Sequence, residues 1–526
     1  MMNRNLHVHR ITGRAVVEGQ ERSPRRWYAV LMLGLVLHGF AMVNSDLGLD
    51  AHVRLNAAED ERNDGQDLAW DKLRIPADTQ QEPTSQHTYD GYIPPSYSSP
   101  MAIKLTSFFG ILCTAALAGL MPKWREEGFH FDPMFASIVL LSPVFLFVSG
   151  RGYDEGILAC FVGLGISGFL FNQAEREREC LLTVVLMATS LLLLLGWKGF
   201  DMVVCLGVWA GVLVIGSLWI VADQRGSEAT QSITRHPWKM SAIASGGLYA
   251  GVFMVGLFSE VGTFRVIGDH PLAFVGASLV ALIHVVSVFL LIGFFLWPFI
   301  LTRWDAIVGL RGRGPTMLAV YSTALLAGIV TYIAALWTLE SNLWNRSLLE
   351  TMLVLGNNGR YATAILIPLL MLIKWSPSNA ASGPSEFSRL RIGIIALIPL
   401  ILFVSLYGQQ LWSQDAAEWI ADSWEEEDSC VVMVAPETLA MHHLYVLKTH
   451  LDLSGEKAID GYWRTSEQAS AFLEDHPECH DVLVVAPGVA FTPSSAQWEL
   501  ANEHPTPFTL SGGLSEDAWR VYRASP

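Results

Sequence analysis

Three groups of charged or polar residues lie at the ends of long apolar segments. Asp46, Asp50 and His52 follow a segment that ends near residue 44, whereas Asp154-Glu155 and Arg360-Tyr361 each precede a later segment. A carboxylate can take a proton from a hydroxyl group, and an arginine can stabilise a phosphate. Counting the apolar segments places all three groups at one edge of a bilayer, which indicates catalysis or transport at that edge.

Each group also has an ordinary structural explanation. Asp46 can be a solvated helix end, and Asp154-Glu155 can cap the N-terminus of the helix that follows. Arg360 can reach towards the lipid–water interface, where Tyr361 would belong to an aromatic belt. The joint position of the three groups favours a functional site over these separate explanations.

The composition predicts a polytopic membrane protein. Hydrophobic residues make up 51% of the 526 residues and charged residues only 16%, and the mean hydropathy is +0.35. This balance is unusual for a soluble domain, and about 20 apolar residues cross a bilayer as a helix. We predict about eleven membrane-spanning helices, over residues 27–44, 100–121, 132–149, 155–172, 181–196, 201–222, 240–258, 271–301, 316–338, 361–374 and 391–409.

The distribution of charge predicts the orientation of these helices. Arginines in residues 1–26 and the basic residues of every second loop place the N-terminus in the cytoplasm. The acidic loop 45–100 and the acidic tail then lie outside. We therefore expect a cytoplasmic tail over 1–26, a transmembrane domain over 27–410 and an extracytoplasmic α/β domain over 411–526. The plasma membrane of a prokaryote suits such a chain.

The outer loop and the tail contain patterns of their own. Apolar residues at helical spacing between Asp50 and Leu73 predict one or two amphipathic helices that lie on the membrane surface. In the tail, β-branched runs at 430–435 and 481–486 alternate with helix-like segments, which predicts a small three-layer α/β domain with a parallel sheet. Cys430 and Cys479 lie at the starts of these strands and can form a disulfide if the strands are neighbours.

The order of these features resembles the GT-C superfamily of membrane glycosyltransferases, in particular the protein O-mannosyltransferase and aminoarabinose-transferase branch (glycosyltransferase family 39). The resemblance covers residues 27–374. It rests on an aspartate in the first outer loop and on four short motifs, which are Pro94-Pro95-Ser96-Tyr97, Arg151-Gly152-Tyr153-Asp154-Glu155, Lys198 in a short outer turn, and Gly359-Arg360-Tyr361. The family's first loop usually reads Asp-Glu-Ala-x-Tyr, whereas this chain has Asp50-Ala51-His52, so the catalytic position falls to either Asp46 or Asp50.

The resemblance implies an α-helical GT-C-like membrane enzyme that transfers a sugar, with inversion, from a polyprenyl-phosphate donor to a protein, lipid or glycan. The catalytic acidic residues would be Asp50 or Asp46 as general base, with Asp154 and Glu155 binding hydroxyl groups or orienting cations. Residues expected to contact substrate are His52, Arg151, Tyr153, Lys198, Arg360 and Tyr361, of which Arg360 and Lys198 would stabilise the leaving phosphate. The resemblance requires no nucleotide or nucleic acid and leaves room for a divalent metal.

Two other functions fit parts of the pattern. In a transporter, the charges would line the path of an ion or substrate, although such charges usually lie near the midplane in two repeated halves. A non-catalytic membrane scaffold would explain the tail as a binding domain. It would leave the Arg151 and Arg360 motifs without a role.

Overall fold

A computed structural model of the chain describes residues 23–63, 73–75, 92, 94, 97–122, 130–170, 174–226, 236–258, 262–343, 347–376, 393, 411–425, 428–436, 440–451, 459–494, 496–506 and 517–524. Helices make up most of the first part. They are α1 (Ser23–Asn44), α2 (Leu49–Asn63), α3 (Pro100–Leu120), α4 (Pro133–Leu140), α5 (Pro143–Arg151), α6 (Glu155–Ile166), α7 (Glu177–Trp197), α8 (Met202–Gln224), α9 (Pro237–Gly256), α10 (Val266–Asp269), α11 (Pro271–His284), a π-helix (Val285–Gly293), α12 (Trp297–Gly309), α13 (Arg313–Leu343), α14 (Leu348–Val354), a 3₁₀ helix (Gly356–Ala362) and α15 (Thr363–Lys374).

Within the described residues, six helical segments are long and apolar enough to cross a membrane. They are α1, α3, α7, α8, α11 continued by the π-helix, and α13. The helices α4 and α5 pass the same test as a pair, with a bend of 55° between them, and would make a seventh span. The chain is therefore an integral membrane protein.

The predicted count of about eleven spans is not confirmed in the described part of the chain. The span predicted over 132–149 is broken where Pro143 begins α5, because proline cannot continue the hydrogen bonding of the preceding helix. The 12 residues of α6 are followed by 4 residues of a 3₁₀ helix, Ser167–Leu170, and α15 has 12 residues. Both are shorter than the roughly 17 to 25 residues of a membrane-spanning helix. Of the span predicted over 391–409, only Gly393 lies within the described residues.

The short helices α6 and α15 form part of the interior of the helical bundle. Nearly every residue of α15 is buried. The helix α6 approaches α3 closely, since a Cβ atom on Gly110 would lie 2.6 Å from the backbone of Gly156. Only glycines allow this approach, and it places the N-terminal end of α6, with Glu155, deep among the other helices.

The outer loop does form a helix, but that helix is not on a lipid surface. Residues Ala51 to Asn56 of α2 are buried, and α2 lies between the membrane helices and a helix of the tail. The prediction of a surface helix over 50–73 was therefore wrong about its location. Residues 64–72 lie outside the described part of the chain.

The tail supplies five strands of a six-stranded sheet that has helices on both faces. Its elements are α16 (Trp412–Asp422), β2 (Cys430–Val434), α17 (Ala440–His450), β3 (Ile459–Arg464), α18 (Ser466–Asp475), β4 (Val482–Val485), β5 (Trp498–Pro505) and β6 (Ala518–Ala524). One apolar cluster joins α16 and α17 to one face, and a second joins α18 to the other. The three layers match the predicted architecture, but the sheet is mixed, because β6 pairs antiparallel with β4 and β5.

A strand from the loop before α3 joins the sheet of the tail, and a disulfide links two parts of the tail. The strand order is β1-β3-β2-β4-β6-β5, in which β1 (Leu73–Arg74) comes from the outer loop and pairs in parallel with β3. The predicted boundary at residue 411 did not include this strand. Cys430 at the start of β2 and Cys479 just before β4 form a disulfide, with their Cα atoms 5.0 Å apart.

Candidate active site

Four helices place Asp50, Asp154, Glu155, Lys198 and Arg360. Asp50 lies in the first turn of α2, and Asp154 directly precedes α6, whose first residue is Glu155. Lys198 follows the last residue of α7, and Arg360 lies in the 3₁₀ helix before α15. The turn between α5 and α6 is short because Gly152 ends α5 with a φ of 70°, a conformation that glycine adopts readily.

Arg360 connects two of these acidic residues. Its Nε donates to Glu155 Oε1 at 2.9 Å and its Nη2 donates to Asp50 Oδ2 at 2.5 Å. The guanidinium group also lies 4.2 Å from the centre of the Tyr153 ring. The side chains of Arg360 and Glu155 are buried, whereas that of Asp50 is 49% exposed. The Asp50 carboxylate is therefore both held by a cation and open to a reactant.

Asp154 has a different environment. Its Oδ2 accepts from Arg54 at 2.5 Å and from Trp197 at 3.0 Å, and its Oδ1 accepts from Lys198 at 3.2 Å. Its side chain is only 4% exposed. Asp154 therefore holds Arg54 and Lys198 in position. Because it is buried and already accepts three hydrogen bonds, it is poorly placed to receive a proton from a substrate.

The charges of the site stabilise one another. Partial burial would raise the pKa of the Asp50 carboxyl, but the nearby Arg360, His442, Lys198 and Arg54 together outweigh this effect and lower the pKa. For Asp154, burial is likewise outweighed, in this case by Arg54 and Lys198, so its pKa is also lowered. Burial would lower the pKa of Lys198, but the charges of Asp154 and Glu155 together outweigh it and raise the pKa. All three groups are therefore charged near neutral pH.

Tyrosine rings form a wall beside these charges. Lys198 Nζ lies 5.0 Å from the centre of the Tyr361 ring, and Arg360 lies 5.1 Å from the same centre. Tyr332 of α13 packs edge-on against Tyr361, with ring centroids 5.5 Å apart. The two cations therefore face the same aromatic ring, which lies between them and α13.

Asp46 and Arg151 form a separate pair. Arg151 Nη1 donates to the backbone oxygen of Asp46 at 3.3 Å and lies 3.9 Å from its Oδ2. Lys104 lies nearby and donates to the backbone oxygens of Met42 and Ser45. The structure thus places Asp46 against Arg151 and Asp50 against Arg360, which distinguishes the two aspartates that the sequence left as alternatives.

His52 faces the tail. Its Nδ1 lies 3.1 Å from Thr449 Oγ1 and its ring centroid is 5.3 Å from that of His450, both in α17. Burial and the nearby His450 lower its pKa well below the usual value, so the ring is neutral at physiological pH. This environment is that of an interface residue and does not match the predicted contact with substrate.

Three residues join the site that the sequence did not single out for it. Arg54 and Trp197 bind Asp154, and Asn358 Oδ1 lies 3.4 Å from Arg360 Nη1. Arg54 follows Asp50 by four residues and therefore lies on the same face of α2, one turn further on. That spacing was the available signal for Arg54.

The described residues do not fit a metal site. Within the described ranges, no group of three or more His, Cys, Asp or Glu side chains is arranged to hold a metal ion. The two buried carboxylates are instead matched by Arg54, Lys198 and Arg360. Cations of the chain itself therefore neutralise this site.

Comparisons with known proteins give one resemblance in structure. No family model matches the chain, and no curated protein matches its sequence. Among solved structures, the crystal structure of ArnT from Cupriavidus metallidurans in the apo state is similar over 94% of this chain and 98% of that one, with 11% sequence identity and a TM-score of 0.32. A TM-score of 0.32 does not establish a common fold, so the assignment of function depends on the residues of this chain.

Proposed function

We propose that this chain is a GT-C-type membrane glycosyltransferase. It would transfer a sugar from a polyprenyl-phosphate donor to a hydroxyl group of a glycan, lipid or protein at the extracytoplasmic face. The observation that carries the proposal is the half-exposed Asp50 carboxylate paired with Arg360, with a second cation, Lys198, at the same Tyr361 ring as Arg360. A base next to an anion site at a lipid–water boundary is what transfer from a lipid phosphate requires.

Asp50 would act as the general base. The acceptor oxygen attacks the anomeric carbon, and the bond from this carbon to the phosphate oxygen breaks with its electron pair leaving on the phosphate. The acceptor proton passes to Asp50, whose carboxylate is ionised and is the most exposed among Asp46, Asp50, Asp154 and Glu155. A single displacement of this kind inverts the anomeric configuration.

Arg360 and Lys198 would bind the donor phosphate. Guanidinium and ammonium groups stabilise phosphate oxygens through charge-assisted hydrogen bonds, and they do so best where water is scarce. Arg360 is almost fully buried and Lys198 is 20% exposed. The negative charge that develops on the leaving phosphate would therefore meet two partly desolvated cations.

Glu155 and Asp154 would hold these cations in position. Glu155 binds Arg360, and Asp154 binds Lys198 and Arg54. Both carboxylates are buried, so neither offers an open face to an acceptor hydroxyl group. Of the two roles that the resemblance allowed for them, orientation of the cations fits this geometry better than contact with sugar hydroxyls.

The proposal is tested by sugar release from radiolabelled polyprenyl-phosphate donors. Purified protein in detergent is given mannosyl, glucosyl and aminopentosyl donors, and wild type is compared with Asp50→Asn and Asp46→Asn. We expect Asp50→Asn to lose activity about 100-fold or more, as for loss of a general base, and Asp46→Asn to retain most of it. Asp269→Asn, an exposed residue paired with Arg265 at 3.5 Å, is the matched control and should behave as wild type.

Thermal unfolding of each variant separates chemistry from folding. Because Asp50 is half exposed, its amide variant should unfold at nearly the wild-type temperature. Equal loss of activity in Asp50→Asn and Asp269→Asn would contradict the assignment of the base. Wild-type protein that neither turns over nor binds any of the three donors would contradict the glycosyltransferase itself and favour a transporter.

A further inference from the structure

The π-helix Val285–Gly293 lies against the 3₁₀ helix that carries Arg360. His284, which ends α11, donates from Nε2 to the backbone oxygen of Gly356 at 2.9 Å. The ring of Phe289 packs directly on Gly359, where even an added Cβ atom would overlap the ring. His284 and Phe289 also pack edge-on against each other, with ring centroids 5.3 Å apart. Two side chains of one segment thus contact both ends of Gly356–Arg360.

The π-helical winding allows His284 and Phe289 to contact the same 3₁₀ helix. In an α-helix, residues five apart lie about 140° apart around the axis, because each turn takes 3.6 residues. His284 and Phe289 would then face different sides. A π-helix forms hydrogen bonds between residues five apart, which brings such residues onto adjacent turns. The nine-residue π segment therefore turns Phe289 to the side of His284.

His284 also packs against α13. The His284 ring lies 5.6 Å from that of Trp337 in α13, and Trp337 is fully buried. The half-buried imidazole therefore contacts α13, Phe289 and the backbone of Gly356. These contacts connect the 3₁₀ helix to α11 and α13.

We propose that His284 and Phe289 are positioning residues for Arg360, acting through the π-helix. This inference rests on the proposed function, in which Arg360 binds the donor phosphate. Arg360 must reach Asp50 and Glu155 at once, and its backbone is set by Gly359 and Gly356, which Phe289 and His284 hold. The π-helix is rare in proteins and occurs mostly as single-turn bulges, which are frequent at functional sites.

The test compares Phe289→Ala and Phe289→Leu with Val288→Ala. Val288 is the adjacent residue of the π-helix and is 46% exposed, so its truncation should leave the 3₁₀ helix unchanged. In Phe289→Ala we expect the KM for the polyprenyl-phosphate donor to rise and kcat/KM to fall about 10- to 100-fold, as for a misplacement near 1 Å. Phe289→Leu fills much of the same space and should restore most of the loss.

The accessibility of the Arg360 side chain can be measured by chemical modification, which does not depend on enzyme turnover. Phenylglyoxal modifies accessible guanidinium groups, and mass spectrometry of the peptide that contains Arg360 measures the rate of modification. We expect several-fold faster modification in Phe289→Ala and wild-type rates in Val288→Ala. Unchanged modification and unchanged donor KM in folded Phe289→Ala, or equal effects of Val288→Ala, would overturn the positioning role. Faster modification in Phe289→Ala, with no turnover in wild type, would support the positioning role and refute the proposed function.

Discussion

Burial determines what each acidic side chain of the site can do. Asp154 is enclosed and matched by Arg54, Lys198 and Trp197, and removal of one partner from a buried ion pair is strongly destabilising. Asp50 is matched by Arg360 but keeps an open side. Two carboxylates near the same cations can therefore have different roles, one structural and one catalytic.

Asp415 of α16 gives the chain a pH dependence of its own. Burial and the neighbouring Glu418 raise the pKa of Asp415 from 3.8 to about 6. Between these two values the folded state binds more protons than the unfolded state, so the free energy of unfolding falls as pH rises through this window and stays lower above it. We expect Asp415→Asn to be more stable than wild type at pH 7 and to lose this advantage near pH 4.

Thermal unfolding in detergent across that pH range measures the difference between the two proteins. Glu499→Gln changes an exposed carboxylate of β5 and is the matched control for the loss of one negative charge. A stability difference between Asp415→Asn and wild type that is the same at both ends of the range would contradict the raised pKa.

The sequence predicted the members of the site better than their pairing. The ends of apolar segments gave Asp50, Asp154-Glu155, Lys198 and Arg360, because a change from apolar to polar residues marks where a helix reaches water. It did not distinguish Asp46 from Asp50, which are four residues apart and face different arginines. Which arginine each one meets depends on contacts between elements distant in the chain, and these leave no local pattern.

At the scale of elements, α2 connects the two parts of the protein. It carries Asp50 and Arg54 towards the membrane helices, and His52 and Asn56 towards α17. Its helical spacing was visible in the sequence, but an apolar face does not reveal whether lipid or protein will cover it. The surface prediction failed for that reason.

We expect Lys448→Met to loosen α2. Lys448 Nζ of α17 donates to Asn56 Oδ1 at 2.8 Å, and methionine retains much of the aliphatic length while removing the donor. The loss of this hydrogen bond should cost about 1 kcal/mol and increase local opening of α2. Hydrogen–deuterium exchange of the peptide over residues 49–58 should become faster, and sugar release should fall with it.

Lys239→Met serves as the control for that experiment. Lys239 is exposed on α9, so its replacement removes the same charge at a distance from α2. Exchange over 49–58 that is equally fast in both variants, or unchanged in Lys448→Met, would show that α17 does not hold α2.

At the scale of the whole molecule, the site and the tail lie on one side of the helical bundle. The tail contacts α2, and the proposed orientation places both outside the cytoplasm. The basic residues of the alternate loops, such as Arg311, would then lie on the opposite side. The disulfide between Cys430 and Cys479 agrees with an oxidising compartment.

Labelling with a membrane-impermeant maleimide tests this orientation in intact cells. The four cysteines outside the disulfide are first replaced by alanine. We expect Glu474→Cys, on the exposed side of α18, to be labelled, and Arg311→Cys to be labelled only after the cells are permeabilised. The reverse pattern would place the tail in the cytoplasm and refute an extracytoplasmic site.

The pairing of β1 with β3 also constrains how the protein is made. Leu73 pairs with Ile459, so β1 leaves the ribosome 386 residues before its partner strand (459 − 73). At about 5 to 20 residues per second, synthesis of the intervening chain takes roughly 20 to 80 seconds. During this time β1 has no partner strand, while the membrane helices between β1 and β3 are inserted. Pairing of this loop with the tail is therefore a late step of biogenesis, and a chain stopped before β3 would carry α2, with Asp50, without the domain that contacts it.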